Sequence, residues 1–170
     1  DVIFWSFLAM LMVPFQAVLI PQYILMVRLG GGSTLWGLIL PTLANAQGVF
    51  LMRQYIMGIP DELLEAAVVD GASELVIYAR IILPLCTPVL ATLGGFVFLW
   101  HWNDFLWPLV LSQKRSSWTL TVGLASLESL NPVMGVTMAA AVMNFLPSLL
   151  VFVFLQRYLV QGIVTTGLKE

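Results

Sequence analysis

The stretch DELLEAAVVDGASELVIYARIILPLCTP, Asp61–Pro88, holds five of the nine carboxylates in the chain. They are Asp61, Glu62, Glu65, Asp70 and Glu74. The rest of the chain is strongly apolar: of 170 residues, 60% are hydrophobic and only 9% are charged, whereas soluble domains carry roughly 25% charged residues. The composition indicates a membrane protein in which a short acidic segment, residues 54–80, lies between apolar runs.

Four uncharged runs surround the acidic segment: residues 2–27, 29–52, 81–103 and 129–156. Each reaches the roughly 20 residues with which a helix crosses a bilayer, and the runs lack the alternation expected of barrel strands. We therefore predict an all-α integral membrane protein with four transmembrane helices, at approximately 2–27, 34–52, 81–103 and 134–156. Six prolines are expected to kink or end these helices, at positions 14, 21, 41, 84, 108 and 147.

Several other classes of protein are disfavoured by the sequence. The one cysteine, Cys86, excludes an internal disulfide and a cysteine-pair metal site, and we expect it to pack in the interior. The net charge of −2 offers no basic surface for nucleic acid. The glycine-rich stretch 30–33 is predicted to be a flexible external turn, because no Lys-Ser/Thr pair follows it as in a phosphate-binding loop.

The beginning of the chain suggests a longer polypeptide. The first residue is Asp1 rather than Met, and the run that follows is too long for the apolar core of a signal peptide. We therefore expect one or more further spans upstream.

The basic residues predict the orientation. If four helices alternate, the acidic segment and the C-terminal tail share a side with Arg53, Arg80, Arg157 and Lys169. The opposite side holds Arg28, Lys114 and Arg115. The positive-inside rule then places the acidic segment and the C-terminus in the cytoplasm.

A short helix is predicted inside the acidic segment. Pro60 suits a first helical turn, the following carboxylates lie at the positive end of the helix dipole, and Gly71 supplies a natural stop. At roughly 100° per residue, one face is apolar, with Leu63, Leu64, Ala67 and Val68. The opposite face carries Asp61, Glu62, Glu65 and Val69.

Two interpretations of this helix remain open: a solvated amphipathic loop, or a docking surface for a separate protein. Three details favour docking. Asp70 lies at the unfavourable end of the dipole, Ala66 and Ala67 are small enough for close approach, and Val69 is apolar among carboxylates.

Several motifs carry a family resemblance. The residues Glu65-Ala66-Ala67, Asp70-Gly71-Ala72 and Ile82-Leu83-Pro84-Leu85 with Pro88 resemble the "EAA" loop of permease subunits in ATP-binding-cassette (ABC) importers. The stretches WNDFLWPL (102–109), TLTVGL (119–124), MAAAVMNFLP (138–147) and the C-terminal QRYLVQGIVTTGLKE are similar to carbohydrate-importer permeases, in particular the maltose/glycerol-phosphate-type second subunit.

The resemblance implies a type I ABC importer transmembrane fold, normally of six spans, so that the first two would precede this chain. It implies a pore formed with a second permease, a related but different subunit or, as the alternative, a second copy of this one. It also implies two ATPase subunits that bind ATP and Mg, and an extracytoplasmic solute-binding protein. This chain would bind no cofactor or metal itself, and would lie in a bacterial or archaeal plasma membrane.

Within the resemblance, the short helix is the coupling helix that docks on the ATPase and carries its motion into the pore for alternating access. The coupling residues carried over are Glu65, Ala66, Ala67, Asp70 and Gly71. The ending VTTGLKE differs from the commoner GAVKG-like tail, which leaves its contact with the ATPases open.

An aromatic segment, FLWHWNDFLWPL at 98–109, is the candidate solute pathway, because rings stack on sugars while amides and carboxylates take the hydroxyls. The candidate residues are Trp100, Trp102, Asn103, Asp104 and, in the last run, Asn144. An aromatic belt at the outer interface, and a helix-to-helix hydrogen bond from Asn144, are the alternatives.

Three functions can be compared for a membrane chain of this kind. An importer permease fits best; an integral-membrane enzyme would need catalytic groups that the spans lack. A passive channel or scaffold subunit is the alternative, which would need no acidic coupling helix.

Overall fold

The computed structural model describes residues 2–130 and 133–166, whose regular structure is helical. In chain order the helices are α1 (Val2–Leu11), α2 (Phe15–Arg28), α3 (Leu35–Ile39), α4 (Ala46–Ile56), α5 (Asp61–Val69), α6 (Glu74–Ile77), α7 (Leu83–Leu85), α8 (Thr87–Trp102), α9 (Leu106–Leu111), α10 (Leu120–Leu130) and α11 (Met134–Thr166). A 3-10 turn (Leu40–Thr42) extends α3, another (Arg115–Ser117) precedes α10, and a π-turn (Tyr78–Ile82) joins α6 to α7. The all-α class expected from the sequence is confirmed for this part of the chain.

Three of the four apolar runs are bent. α1 meets α2 at 102°, with Pro14 directly before α2, and α3 with its 3-10 turn meets α4 at 42°. The helix Glu74–Leu85 meets α8 at 69°. At this last bend Pro88 has no N–H for the carbonyl of Pro84, and in a straight helix its ring would clash with that carbonyl.

The length of the helices bears on the number of spans. Within the described residues, one helix is able to cross a membrane by length and composition, Met134–Gln156 of α11, and each bent pair would add one if it acts as a single broken span. Four spans at the predicted positions therefore remain a prediction. The third helical region begins at Glu74, before the predicted start at 81, because the π-turn continues the helix from α6 into α7.

The most buried cluster lies where α9 packs against α2. Trp107 and Leu111 of α9 and Met26 of α2 form it, with Leu19, Tyr23 and Leu38 partly buried against them. α8 packs closely on α11, since a Cβ added to Gly95 would lie 2.5 Å from the Leu155 methyl carbons. Cys86 is buried as expected.

The glycine-rich turn after α2 is not the flexible external turn that the sequence predicted. Gly31 is buried, and a Cβ there would lie 2.9 Å from the ends of the Met26 and Trp36 side chains. The Ser33 N–H donates to the Leu111 carbonyl at 3.1 Å, which ties the turn to α9. Packing partners distant in sequence hold this turn in place.

Candidate functional site

The short helix predicted inside the acidic segment is observed as α5. Pro60 occupies the N-cap position in extended conformation, φ −59° and ψ 131°, one residue before the first turn where the sequence placed it. Asp61 and Glu62 lie in the first turn, at the positive end of the helix dipole.

The end of α5 has a Schellman geometry. The Gly71 N–H donates to the Val68 carbonyl and the Ala72 N–H to the Ala67 carbonyl, each at 3.0 Å. Gly71 has φ +77°, a conformation that residues with a Cβ rarely adopt, while the space around its Cα is open. Gly71 is thus required for conformation rather than for packing, as the stop predicted at this position implies.

The residues of α5 differ widely in exposure. Ala67 is 8% exposed and packs against its own chain, so it supports the helix rather than offering surface to another protein. Ala66 and Glu65 are exposed. Leu63 and Val68 expose 47% and 61% of their surface, so the predicted apolar face is only partly covered, and Val69 on the opposite face exposes 86%.

The carboxylates of the acidic segment have no partner in the part of the chain that the structure describes. All five are exposed, from Asp61 to Glu74, and none takes part in an ion pair or a side-chain hydrogen bond with a described residue. Unpaired negative charge beside exposed valines can recognise a basic protein surface through charge-assisted hydrogen bonds with apolar contacts between them.

Sequence reasoning missed further apolar surface in this segment. Met57, Leu75 and Tyr78 are each more than half exposed, on either side of α5. Their spacing gave no signal, because exposure here depends on how the flanking helices turn at their ends. The exposed surface thus extends from the end of α4 to the π-turn.

In the aromatic segment, two candidate pathway residues contact α11. The Trp102 indole N–H donates to the Asn144 carbonyl at 2.9 Å, and its ring stacks on Phe98 with centroids 5.5 Å apart. The Asn103 amide donates to the Leu99 carbonyl at 2.8 Å and to the Ser148 hydroxyl at 3.4 Å. These bonds place Trp102, Asn103 and Asn144 at one seam between α8 and α11.

Asp104 has a local structural role. Its Oδ1 accepts the Trp107 N–H at 3.4 Å, and its carbonyl accepts the Thr121 hydroxyl at 2.9 Å. The side chain therefore caps the start of α9, as carboxylates do when they accept an N–H of the first helical turn. Trp107, included in the aromatic segment as a potential sugar-stacking ring, is 1% exposed and belongs to the interior.

The remaining two candidates differ in accessibility. Trp100 is 43% exposed and stacks on Phe96 at 5.9 Å, away from the bonds of the α8/α11 seam. The Asn144 Oδ1 is buried and has no hydrogen-bond partner among the described residues, although the residue's backbone carbonyl has one. A buried amide oxygen without a donor is costly.

Two features used in the sequence predictions lie outside what the structure describes. The side chains of Arg157 and Lys169, used for orientation, and the tail VTTGLKE beyond residue 166 are not among the described features. The orientation therefore remains a prediction.

The comparisons with known proteins agree on one family. The model of the "binding-protein-dependent transport system inner membrane component" matches residues 1–165. The chain is 39% identical over 165 residues to the arabinooligosaccharides transport system permease protein AraQ of Halalkalibacterium halodurans, covering 95% of this chain and 58% of that protein. It is 36% identical over 169 residues to the sn-glycerol-3-phosphate transport system permease protein UgpE of Pectobacterium atrosepticum, covering 96% and 59%.

The chain spans about three fifths of the length of these relatives. The family match runs through both the acidic segment and the aromatic segment, and it confirms the resemblance drawn from their motifs. This chain belongs to the family of inner membrane components of binding-protein-dependent transport systems.

Proposed function

We propose that this chain is the pore-forming permease subunit of an ATP-driven importer for a carbohydrate or a related solute. The acidic segment is the coupling element: α5 docks on a separate ATPase subunit that holds ATP and Mg, and its motion drives alternating access. The observation that carries the proposal is the exposed helix α5, whose carboxylates and valines have no partner within the described chain.

The proposed assembly contains a second permease, two ATPase subunits and an extracytoplasmic solute-binding protein, in a bacterial or archaeal plasma membrane. The names of the relatives support this, since both are permease proteins of transport systems for arabinooligosaccharides or glycerol phosphate. Four spans are compatible with the described helices if each bent pair acts as one span. The distribution of basic residues then puts the acidic segment and the C-terminus in the cytoplasm.

The coupling contacts are proposed residue by residue. Glu65 meets a basic group of the ATPase, Ala66 allows close approach, and Asp70 adds charge at the helix end. Ala67 and Gly71 contribute indirectly: Ala67 packs the helix against its own chain, and Gly71 forms the turn that ends it.

We propose the seam between α8 and α11 as part of the solute route. Trp100 offers an exposed ring and Asn103 an exposed amide, while the Asn144 oxygen is buried and would meet a solute hydroxyl only if the seam opens. Trp102 holds the seam together, and Asp104 shapes it by capping α9.

The first experiment purifies the complete protein from its native membrane in mild detergent and identifies its companions by mass spectrometry. We expect an ABC ATPase and a second permease. Recovery of this protein alone, under conditions that preserve a known importer complex, would contradict the proposal and favour a passive channel or scaffold subunit.

The coupling surface is tested with Glu65→Gln in the complete transporter. We expect ATPase binding to weaken roughly tenfold or more, because a docked cation would lose its charged partner. Membrane insertion should be unchanged, since Glu65 is exposed.

The matched control is Glu74→Gln, which removes the same charge from α6 outside the docking helix. Binding should fall less than in Glu65→Gln. Equal losses in the two variants would mean that overall charge, rather than docking through α5, governs the association.

A further inference from the structure

A side-chain hydrogen bond ties together the two helices that flank the acidic helix. Tyr55 lies at the end of α4, before α5, and Leu85 lies at the end of α7, after it. The Tyr55 hydroxyl donates to the Leu85 carbonyl at 3.1 Å across 30 residues of sequence. The chain between them, which includes the whole of α5, is thereby closed into a loop.

The acceptor of this bond lies at a hinge. Directly after Leu85 the helix turns by 69° into α8, where Pro88 interrupts the helical hydrogen bonding. A bend with an interrupted backbone bond is a point at which a helix can flex without unfolding. The Tyr55 bond therefore holds the last carbonyl position before the bend.

α4 also contacts the helix beyond the bend. A Cβ added to Gly48 would lie 3.4 Å from both methyl carbons of Leu93 in α8, so the α4 backbone lies against that side chain. α4 is thus attached on both sides of the hinge, to α8 through Gly48 and to α7 through Tyr55. It acts as a brace across the bend.

We infer that Tyr55 is a positioning residue for energy coupling: its hydroxyl braces the bend between α7 and α8, so that displacement of α5 moves α8 instead of being absorbed at the hinge. This inference rests on the proposed function, because it takes α5 as the docking element. Without the hydroxyl, α5 still docks, but the motion reaches the pore less completely.

The test uses Tyr55→Phe in the complete transporter with its partners, reconstituted in vesicles. The ring stays and a single exposed hydroxyl is lost, so the fold is preserved. Solute moved per ATP hydrolysed should fall about threefold to tenfold, the change in an equilibrium constant that one hydrogen bond supports. ATPase binding should be unchanged.

A second readout follows the brace itself. Spin labels at Gln54 and Leu83, both exposed, report the distance between the two flanks. The distance distribution should be narrow with Tyr55 and broaden in Tyr55→Phe. A purely structural contribution of Tyr55 to stability would lower the yield without changing the ratio of transport to hydrolysis.

The matched control is Tyr23→Phe in α2. It removes a hydroxyl that accepts a hydrogen bond of 2.7 Å from the Gln113 side-chain amide. It should leave the transport ratio unchanged. An equal fall in the ratio of transport to hydrolysis in both variants would overturn this inference. So would an unchanged ratio and an unchanged distance distribution in Tyr55→Phe. In either case, transport by the wild-type protein would still support the proposed function. A wild-type protein that neither assembles nor transports would overturn both.

Discussion

Two helices of this protein end in the same backbone geometry but in opposite surroundings. α2 ends with Gly30 at φ +83°, whose N–H donates to the Val27 carbonyl, while the Gly31 N–H donates to the Met26 carbonyl. α5 ends in the same way at Gly71 and Ala72. After α2, Gly31 is buried and Ser33 bonds to the Leu111 carbonyl of α9, whereas after α5 Gly71 and Ser73 are exposed.

The difference separates local from tertiary causes. In both turns the glycine supplies the left-handed conformation, so the shape is local in origin. What covers the turn is decided elsewhere. Neither left-handed glycine, Gly30 or Gly71, has a described atom within 4 Å of an added Cβ, but the next residue differs: Gly31 is buried against Met26 and Trp36, whereas Ala72 is half-buried. An open turn beside unpaired carboxylates is what a docking element requires, because its contacts are completed by another protein.

The largest effect is expected from a change that disrupts the turn after α2, where Gly31 is buried. Gly37→Ala would place a Cβ against the backbone carbonyl of Gly31, which cannot move aside as a side-chain end can. We expect a loss of about 3 kcal/mol in the free energy of unfolding. The yield of monodisperse protein and the thermal midpoint in detergent measure it.

The matched control for Gly37→Ala is Gly94→Ala, since a Cβ at Gly94 meets no described atom within 4 Å. It should leave the midpoint unchanged or raise it slightly, because alanine favours a helix interior over glycine. Similar midpoints for the two variants would show that the turn after α2 is looser than the packing around Gly31 indicates.

A smaller effect is expected at the open turn. Gly71→Ala forces a Cβ into a left-handed conformation, which costs about 1–2 kcal/mol, although no atom stands in its way. Because α5 is exposed, the cost should appear mainly as weaker ATPase binding, measured by co-purification or titration. Gly71→Asn, which tolerates this conformation, should recover most of the binding; equal loss in both variants would contradict the conformational argument.

The smallest effect is expected at the start of α9, the helix that contacts the turn after α2. Asp104→Ala removes the cap of α9, and the long capping distance of 3.4 Å points to a cost of about 0.5–1 kcal/mol. Asp104→Asn keeps an acceptor and should restore the thermal midpoint. If Asp104→Asn is stable yet transports poorly, the carboxylate has a role in the solute route beyond capping.

The sequence predicted local features well where one residue determines the outcome. Pro60 and Gly71 bounded α5 correctly because each acts on its own backbone. The turn after α2 was misjudged, since the burial of Gly31 depends on Trp36 and on α9, whose Leu111 lies far along the chain.

The aromatic segment was predicted in part. Its composition indicated a polar and aromatic cluster, and Trp102 and Asn103 do meet Asn144 and Ser148. Composition does not reveal which way each side chain points, however: Trp107 is buried in the interior, and Asp104 accepts the Trp107 N–H at the start of α9. A capping residue three positions before a buried ring is a signal that could have been read from the sequence.

The π-turn Tyr78–Ile82 determines the angle at which the acidic segment is presented. A π-turn contains one residue more than an α-turn, so everything before it is rotated relative to a continuous α-helix. If this turn closed as an α-turn with all of its residues kept, α6 and the chain that carries α5 would rotate by about 100°. Removing one residue at the same time would leave α6 facing as it does. The direction in which the carboxylates face thus depends on the π form of the backbone at 78–82 as well as on the residues of α5.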